Sequence, residues 1–206
     1  MADSNIFEVF LFGHTHQDTL RRMNLEQRIR RLEDREAIRT LIARYGLLVD
    51  QRDIDAVGML FTRDGSFRSL DGKIASVGRD AVIEQFHKRY AVLGPSNHFT
   101  HDIVIELDES DPDLASGWVN SHAEVVRNGV ALWAALRYHD RYRREDGVWR
   151  FQVRELHFFY YVSPKDYPEL LGQRMRNRAY AEPLPADYPE NSDTWKAYYA
   201  KYPQPG

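Results

Sequence analysis

From Leu25 onward, apolar residues recur at helical spacing. Ile29, Leu32, Ile38, Leu41, Ile42, Tyr45, Leu48 and Val49 fall three and four apart and form one stripe. Glu26, Arg28, Glu33, Asp34, Arg35, Glu36, Arg39 and Arg44 occupy the other faces, so the pattern predicts a long helix with one solvated side. Gln51 to Asp55 reads as the end of that helix and the start of another, with Asp53 placed to cap a short helix through Ala56, Val57, Met59 and Leu60. Thr62-Arg63-Asp64-Gly65 predicts a turn. Ser66 to Arg68 and Lys73 to Ser76 predict a short hairpin around Asp71-Gly72. A third helix is expected from Gly78-Arg79-Asp80 through Tyr90, with Val82, Ile83 and Phe86 inward and Gly94-Pro95 closing it.

From Asn97 the period changes to two. His98 to Leu107, Ser116 to Arg127, Ala131 to Arg144 and Val148 to Val162 read as four long strands. Asn128-Gly129 and Glu145-Asp146-Gly147 separate the last three with hairpin signals, so the sheet should be mostly antiparallel. Helices come first and strands last. The expected class is α+β, a curved sheet wrapped around N-terminal helices into a cone that encloses a pocket. The chain divides into an N-terminal extension (1–24), this domain (25–162) and a C-terminal tail (163–206). The tail holds most of the prolines and many tyrosines. It is too aromatic for plain disorder, and is expected to carry one or two short helices and to lie across the cone mouth or on a neighbouring subunit.

Composition narrows the function classes. The 206 residues suit one domain with extensions, and 43% hydrophobic with 13% aromatic content supplies both a core and an apolar pocket wall. A net charge of -3 with both signs intermixed gives no basic surface for nucleic acid or a membrane. The absence of Cys excludes disulfides and thiolate chemistry and fits a reducing cytoplasm. Ile6 to Phe12 is apolar but too short to span a bilayer, is interrupted by Glu8 and lacks a basic leader, so a packing arm is expected rather than a secretory signal. No nucleotide loop, metal motif or cofactor lysine stands out. The expectation is no cofactor and no metal.

Several residues offer chemistry. Asp50 follows Leu47-Leu48-Val49 at the end of the long helix, where a carboxylate is either solvated or held inside against the helix dipole. His98 opens a strand. Alternation alone places Phe99, His101, Ile103 and Ile105 on the apolar face and His98 opposite, unless the strand bends at its start. His122 shares a face with Trp118, Asn120 and Glu124, which suits a wet outer surface about as well as a polar pocket. Arg154, if it points inward, needs an anionic or carbonyl partner. Tyr45 lies on the inner stripe as core or as a pocket phenol.

The segments Leu32 to Ile38 and Ala43 to Asp50, then Ser96-Asn97-His98-Phe99-Thr100-His101 and the turn Glu145 to Phe151, resemble the SnoaL-like branch of the nuclear-transport-factor-2-like superfamily over roughly residues 25–162. That branch includes scytalone dehydratase, hexachlorocyclohexane dehydrochlorinase and the bile-acid 7α-dehydratases. The resemblance implies that His98 is a general base, that Asp50 orients it, that Tyr45 is a pocket phenol and that His122 is a second acid–base group. It also implies that Arg154 binds substrate. Tyr45 stands where the dehydrochlorinase has a lysine, which weakens the case for halide elimination. The implied activity is a cofactor-independent lyase, a dehydratase acting on a hydrophobic ring-containing small molecule of steroid, terpenoid or polyketide type. An isomerase using the same base and a non-catalytic binding or assembly protein are the alternatives. A homo-oligomer, trimer or dimer, is the expected assembly.

Overall fold

A computed structural model describes residues 23–203; the apolar run at Ile6 to Phe12 lies outside them. Helix α1 (Leu25–Gln51) starts at a reciprocal cap in which Asn24 and Gln27 bond each other's backbone N–H. Its buried stripe is Ile38, Leu41, Ile42, Tyr45 and Val49, whereas Ile29 and Leu32 are exposed. The periodic stripe therefore begins two turns before the core does. Trp149 Nε1 donates to Asp34 at 3.0 Å, and Arg144 also pairs with Asp34 at 2.8 Å, pinning the helix where it first meets the sheet. Short α2 (Ile54–Met59) is capped by Asp53 as expected.

Next come β1 (Phe61–Ser69), β2 (Ala75–Val77) and α3 (Arg79–Tyr90), then β3 (Leu93–Leu107), β4 (Leu114–Arg127), β5 (Val130–Glu145) and β6 (Val148–Val162). The six strands form one open, curved sheet in the order β2-β1-β6-β5-β4-β3. Pairings are antiparallel except β1 with β6. Asn128-Gly129 and Asp146-Gly147 have positive φ at both residues, the geometry of tight hairpin turns. The expected turn at Thr62 to Gly65 is instead a bulge within β1. Phe61 pairs with Phe151 and Ser66 with Val153, so β1 uses extra residues to cover the same length of β6. Gly94-Pro95 belongs to β3 rather than to a helix end.

The inner face packs on α1 and α3 around Phe61, Phe67, Phe86, Tyr45, Tyr142 and Phe151. The C-terminal tail adds α4 (Tyr167–Leu170) and α5 (Asp193–Lys201) and packs on the body of the same chain. It covers the edge of β6 beyond β1. Tyr161 N–H donates to Arg176 O, Arg178 N–H to Tyr161 O and Asp187 N–H to Phe158 O, and Ala179 and Tyr180 join the core. Among the described residues no helix is long and apolar enough to cross a membrane.

Candidate active site

The site begins with an irregularity in β3. His98 pairs with Ala123 and Thr100 with Ser121, but Ile103 pairs with Val119 and Ile105 with Gly117, so the register slips by one residue between His101 and Ile103. Asp102 sits there at φ 49. This bulge reverses the alternation. Ile103, Ile105 and Leu107 face inward beyond it, and Ser96, His98 and Thr100 face inward before it. The bend that a simple alternation lacked is what turns His98 toward α1.

Asp50, in the last turn of α1, meets His98 there. His98 Nδ1 lies 2.6 Å from Asp50 Oδ1, and the His98 backbone N–H donates to Oδ2 at 2.7 Å. Ser96 Oγ donates to Oδ1 at 2.7 Å. Burial would raise the Asp50 carboxyl, but the bond to the His98 ring, the His98 charge, its backbone N–H and the Ser96 hydroxyl outweigh it. Together they hold the group below the ordinary carboxylate range. The helix terminates on Arg52, left-handed at φ 63. That turn sends the guanidinium back over the site: it donates to Val49 O at 2.8 Å, to Ser96 Oγ at 2.9 Å and to Gly94 O, and lies 4.3 Å from the Tyr90 ring centre. Tyr90 in turn donates to Val49 O at 2.9 Å. Arg52, Ser96 and Tyr90 escape a sequence reading. Ser96 alone carries a signal, being two residues from His98 on the same strand face.

With Nδ1 held by Asp50, Nε2 is the nitrogen left to react. His98 lines an enclosed cavity together with Tyr45, Tyr138, Val49, Phe86 and Leu156. The free space is about 30 Å³, where a cavity needs roughly 10–15 Å³ to hold one water. Tyr45 packs edge-on against Phe86, Tyr138 and Phe151. Burial, with the neighbouring Tyr138, raises its phenol well above the usual value, so Tyr45 stays protonated at neutral pH. A shallow groove of about 360 Å³ lined by Pro95, Asn97, Leu132 and Trp133 shares Ser96 and Val125 with the cavity wall.

Asp50 and His98 thus meet, and Tyr45 shares the cavity wall with His98, while His122 and Arg154 do not join them. His122 is on the outer face of β4, where its Nδ1 lies 2.7 Å from His101 Nε2 and the two rings stack. Arg154 is fully buried behind the cavity wall. Its Nε and Nη2 donate to Asp140 at 3.0 and 2.8 Å, and its guanidinium lies 3.9 to 4.2 Å from the ring centres of Tyr138, Phe151 and Tyr45. Its charge is spent on a core carboxylate rather than on the cavity.

A SnoaL-like domain model matches residues 30–155. The chain belongs to the SnoaL-like family. No curated protein sequence matches it well enough to count as a relative. Solved structures share the fold. A candidate scytalone dehydratase from Novosphingobium aromaticivorans is 20% identical, covering 65% of this chain and 89% of its own at a TM-score of 0.59. Hexachlorocyclohexane dehydrochlorinase type 3 from Novosphingobium barchaimii is 20% identical, covering 66% and 92% at 0.59. A candidate aromatic ring hydroxylase from N. aromaticivorans is 27% identical, covering 66% and 96% at 0.59. The SnoaL-like neighbours therefore include proteins named for lyase reactions, all on an α+β cone of this kind.

Proposed function

We propose that this SnoaL-like protein is a cofactor-independent lyase that removes water from a small hydrophobic ring compound. The observation that carries the reading is His98 on the wall of an enclosed cavity, with Asp50 Oδ1 2.6 Å from its Nδ1. Asp50 holds the imidazole in the tautomer with Nδ1–H toward the carboxylate, so Nε2 is basic. His98 Nε2 takes a proton from carbon beside an activating group, and the electrons of that bond form the new double bond. The hydroxyl on the adjacent carbon departs with a proton from Tyr45 and leaves as water. The proton on His98 then returns the phenol to its neutral form, so the enzyme ends as it began.

The closed cavity suits water exclusion but is too small for a ring compound as it stands. Entry requires the wall to part, and the adjoining groove at Ser96, Val125 and Trp133 is the place from which a substrate reaches His98. His122 takes no part in this scheme, since it faces away. The test is an ultraviolet screen of hydroxylated ring compounds for the appearance of a conjugated double bond. His98→Gln and Asp50→Asn should each lose roughly 10³-fold or more in kcat/KM while keeping the wild-type circular dichroism. Turnover that persists in both variants would sink the dyad mechanism. Substrate binding without turnover in the wild type would turn the reading to a ligand-binding role.

A further inference from the structure

The sheet's outer face carries a second group of chemistry-bearing side chains that the cavity does not use. His139 on β5 stands directly across from Glu155 on β6, and His157 is two residues further along the same face of β6. Their ligand-capable atoms all lie within 4.8 Å of one another, and the three side chains are half-buried. We propose that His139, Glu155 and His157 form a binding site for a divalent cation of the zinc class.

Two imidazoles and one carboxylate make a donor set that zinc accepts with a fourth position left open. The scaffold is rigid, because all three residues lie on paired strands. The His139 and His157 rings stack with centres 3.8 Å apart, and Trp118 stacks on His139 at 5.1 Å from the neighbouring strand. His157 Nε2 lies 2.8 Å from Glu155 Oε1, so the two ligand atoms already face each other across the position an ion would take. Arg68 bonds the other oxygen, Oε2, and so aims Oε1 at the histidines, as an outer partner of a metal ligand does. Arg68 and Arg137, the latter paired with His157 across the strands, are cationic and lower the affinity for a cation.

The site is distinct from the cavity. Tyr138 and Leu156, the inward neighbours of these residues, line the cavity on the opposite face of the same strands. The rival outer pair, His101 and His122, is bonded to itself and to Asp102.

The experiment titrates the chelator-treated full chain with Zn²⁺ by calorimetry and with Co²⁺ by visible absorption. One equivalent of Zn²⁺ and a Co²⁺ ligand-field band are expected. Loss of an outer partner of a metal ligand already costs about 10–100-fold in affinity, so His139→Ala should weaken Zn²⁺ by more than about 100-fold. Glu155→Gln, which preserves shape, should weaken it by at least about tenfold. Variants His14→Ala/His16→Ala and His101→Ala/His122→Ala should bind as the wild type does. No stoichiometric binding in the wild type would overturn the proposal. So would binding kept in both His139→Ala and Glu155→Gln, or binding lost in either control variant.

Discussion

Arg154 shows how much one residue can misdirect a sequence reading. An arginine in a strand suggests a surface or a substrate anion, yet here Asp140 meets it 2.8 Å away with both side chains at 0% exposure. Tyr142 Oη donates to the same carboxylate at 2.9 Å, so the anion is well satisfied, although Arg154 Nη1 has no partner. Removing one member of such a pair strands the other charge. Arg154→Ala is expected to cost about 3–5 kcal/mol in urea unfolding, whereas a paired apolar replacement, Arg154→Met with Asp140→Leu, should recover most of it. Asp50 yields a pH prediction. Its folded pKa lies below the unfolded value, so its contribution is fully present above about pH 3.9 and is lost as pH falls through the lower folded value. In urea midpoints measured from pH 6 to 2, the gap between wild type and Asp50→Asn should hold down to about pH 4 and close below it.

At the scale of elements, the β3–β4 pair is the most exacting. Gly117 faces inward opposite Ile105, and a Cβ there would lie 2.4 Å from the Val104 carbonyl oxygen and 3.2 Å from the Tyr142 ring. The close atom is backbone and cannot swing away. Gly117→Ala should therefore destabilise by about 2–3 kcal/mol or more, seen as a lowered melting temperature. Gly129→Ala meets open space, and its cost should be limited to the left-handed backbone at φ 79, about 1–2 kcal/mol. The two sites separate steric from conformational roles of glycine within one sheet. The bulge at Asp102 has the larger functional consequence, since without the register slip His98 would face outward with Trp118 and His122 rather than toward Asp50.

Across the whole molecule, the C-terminal tail behaves as part of the body. Arg176 is almost fully buried and joins two tail segments, one around Gln173 and one at Tyr188 to Glu190, to β6. It pairs with Glu190 at 2.6 Å, donates to Phe159 O, Gln173 O and Tyr188 O, and stacks over the Phe159 ring at 4.5 Å. Arg176→Ala should loosen the tail from the β6 edge. Loss of a buried ion-pair partner predicts a penalty of about 3–5 kcal/mol, together with faster proteolysis after Val162. Tyr161 and Phe158 line the cavity from this same edge, so the variant should also admit solvent to the site, read as quicker amide exchange at Tyr161.

The amino-acid sequence determined the elements and their order. The helical stripe through Ile38, Tyr45 and Val49 and the two-residue hairpins at Asn128-Gly129 and Asp146-Gly147 are local signals with local causes, and they suffice for an α+β chain ending in a meander. It also made Asp50, His98 and Tyr45 legible as candidates, through resemblance more than through periodicity. Tertiary structure alone decided which face each one occupies. A single extra residue at Asp102 inverts a strand's sidedness, and the extra length of β1 at Thr62 to Gly65 is visible only against β6. Partners far apart in sequence, Asp50 with His98, Arg154 with Asp140 and His139 with Glu155, meet because strand register brings them together. Register is a property of paired strands, so no single segment contains it.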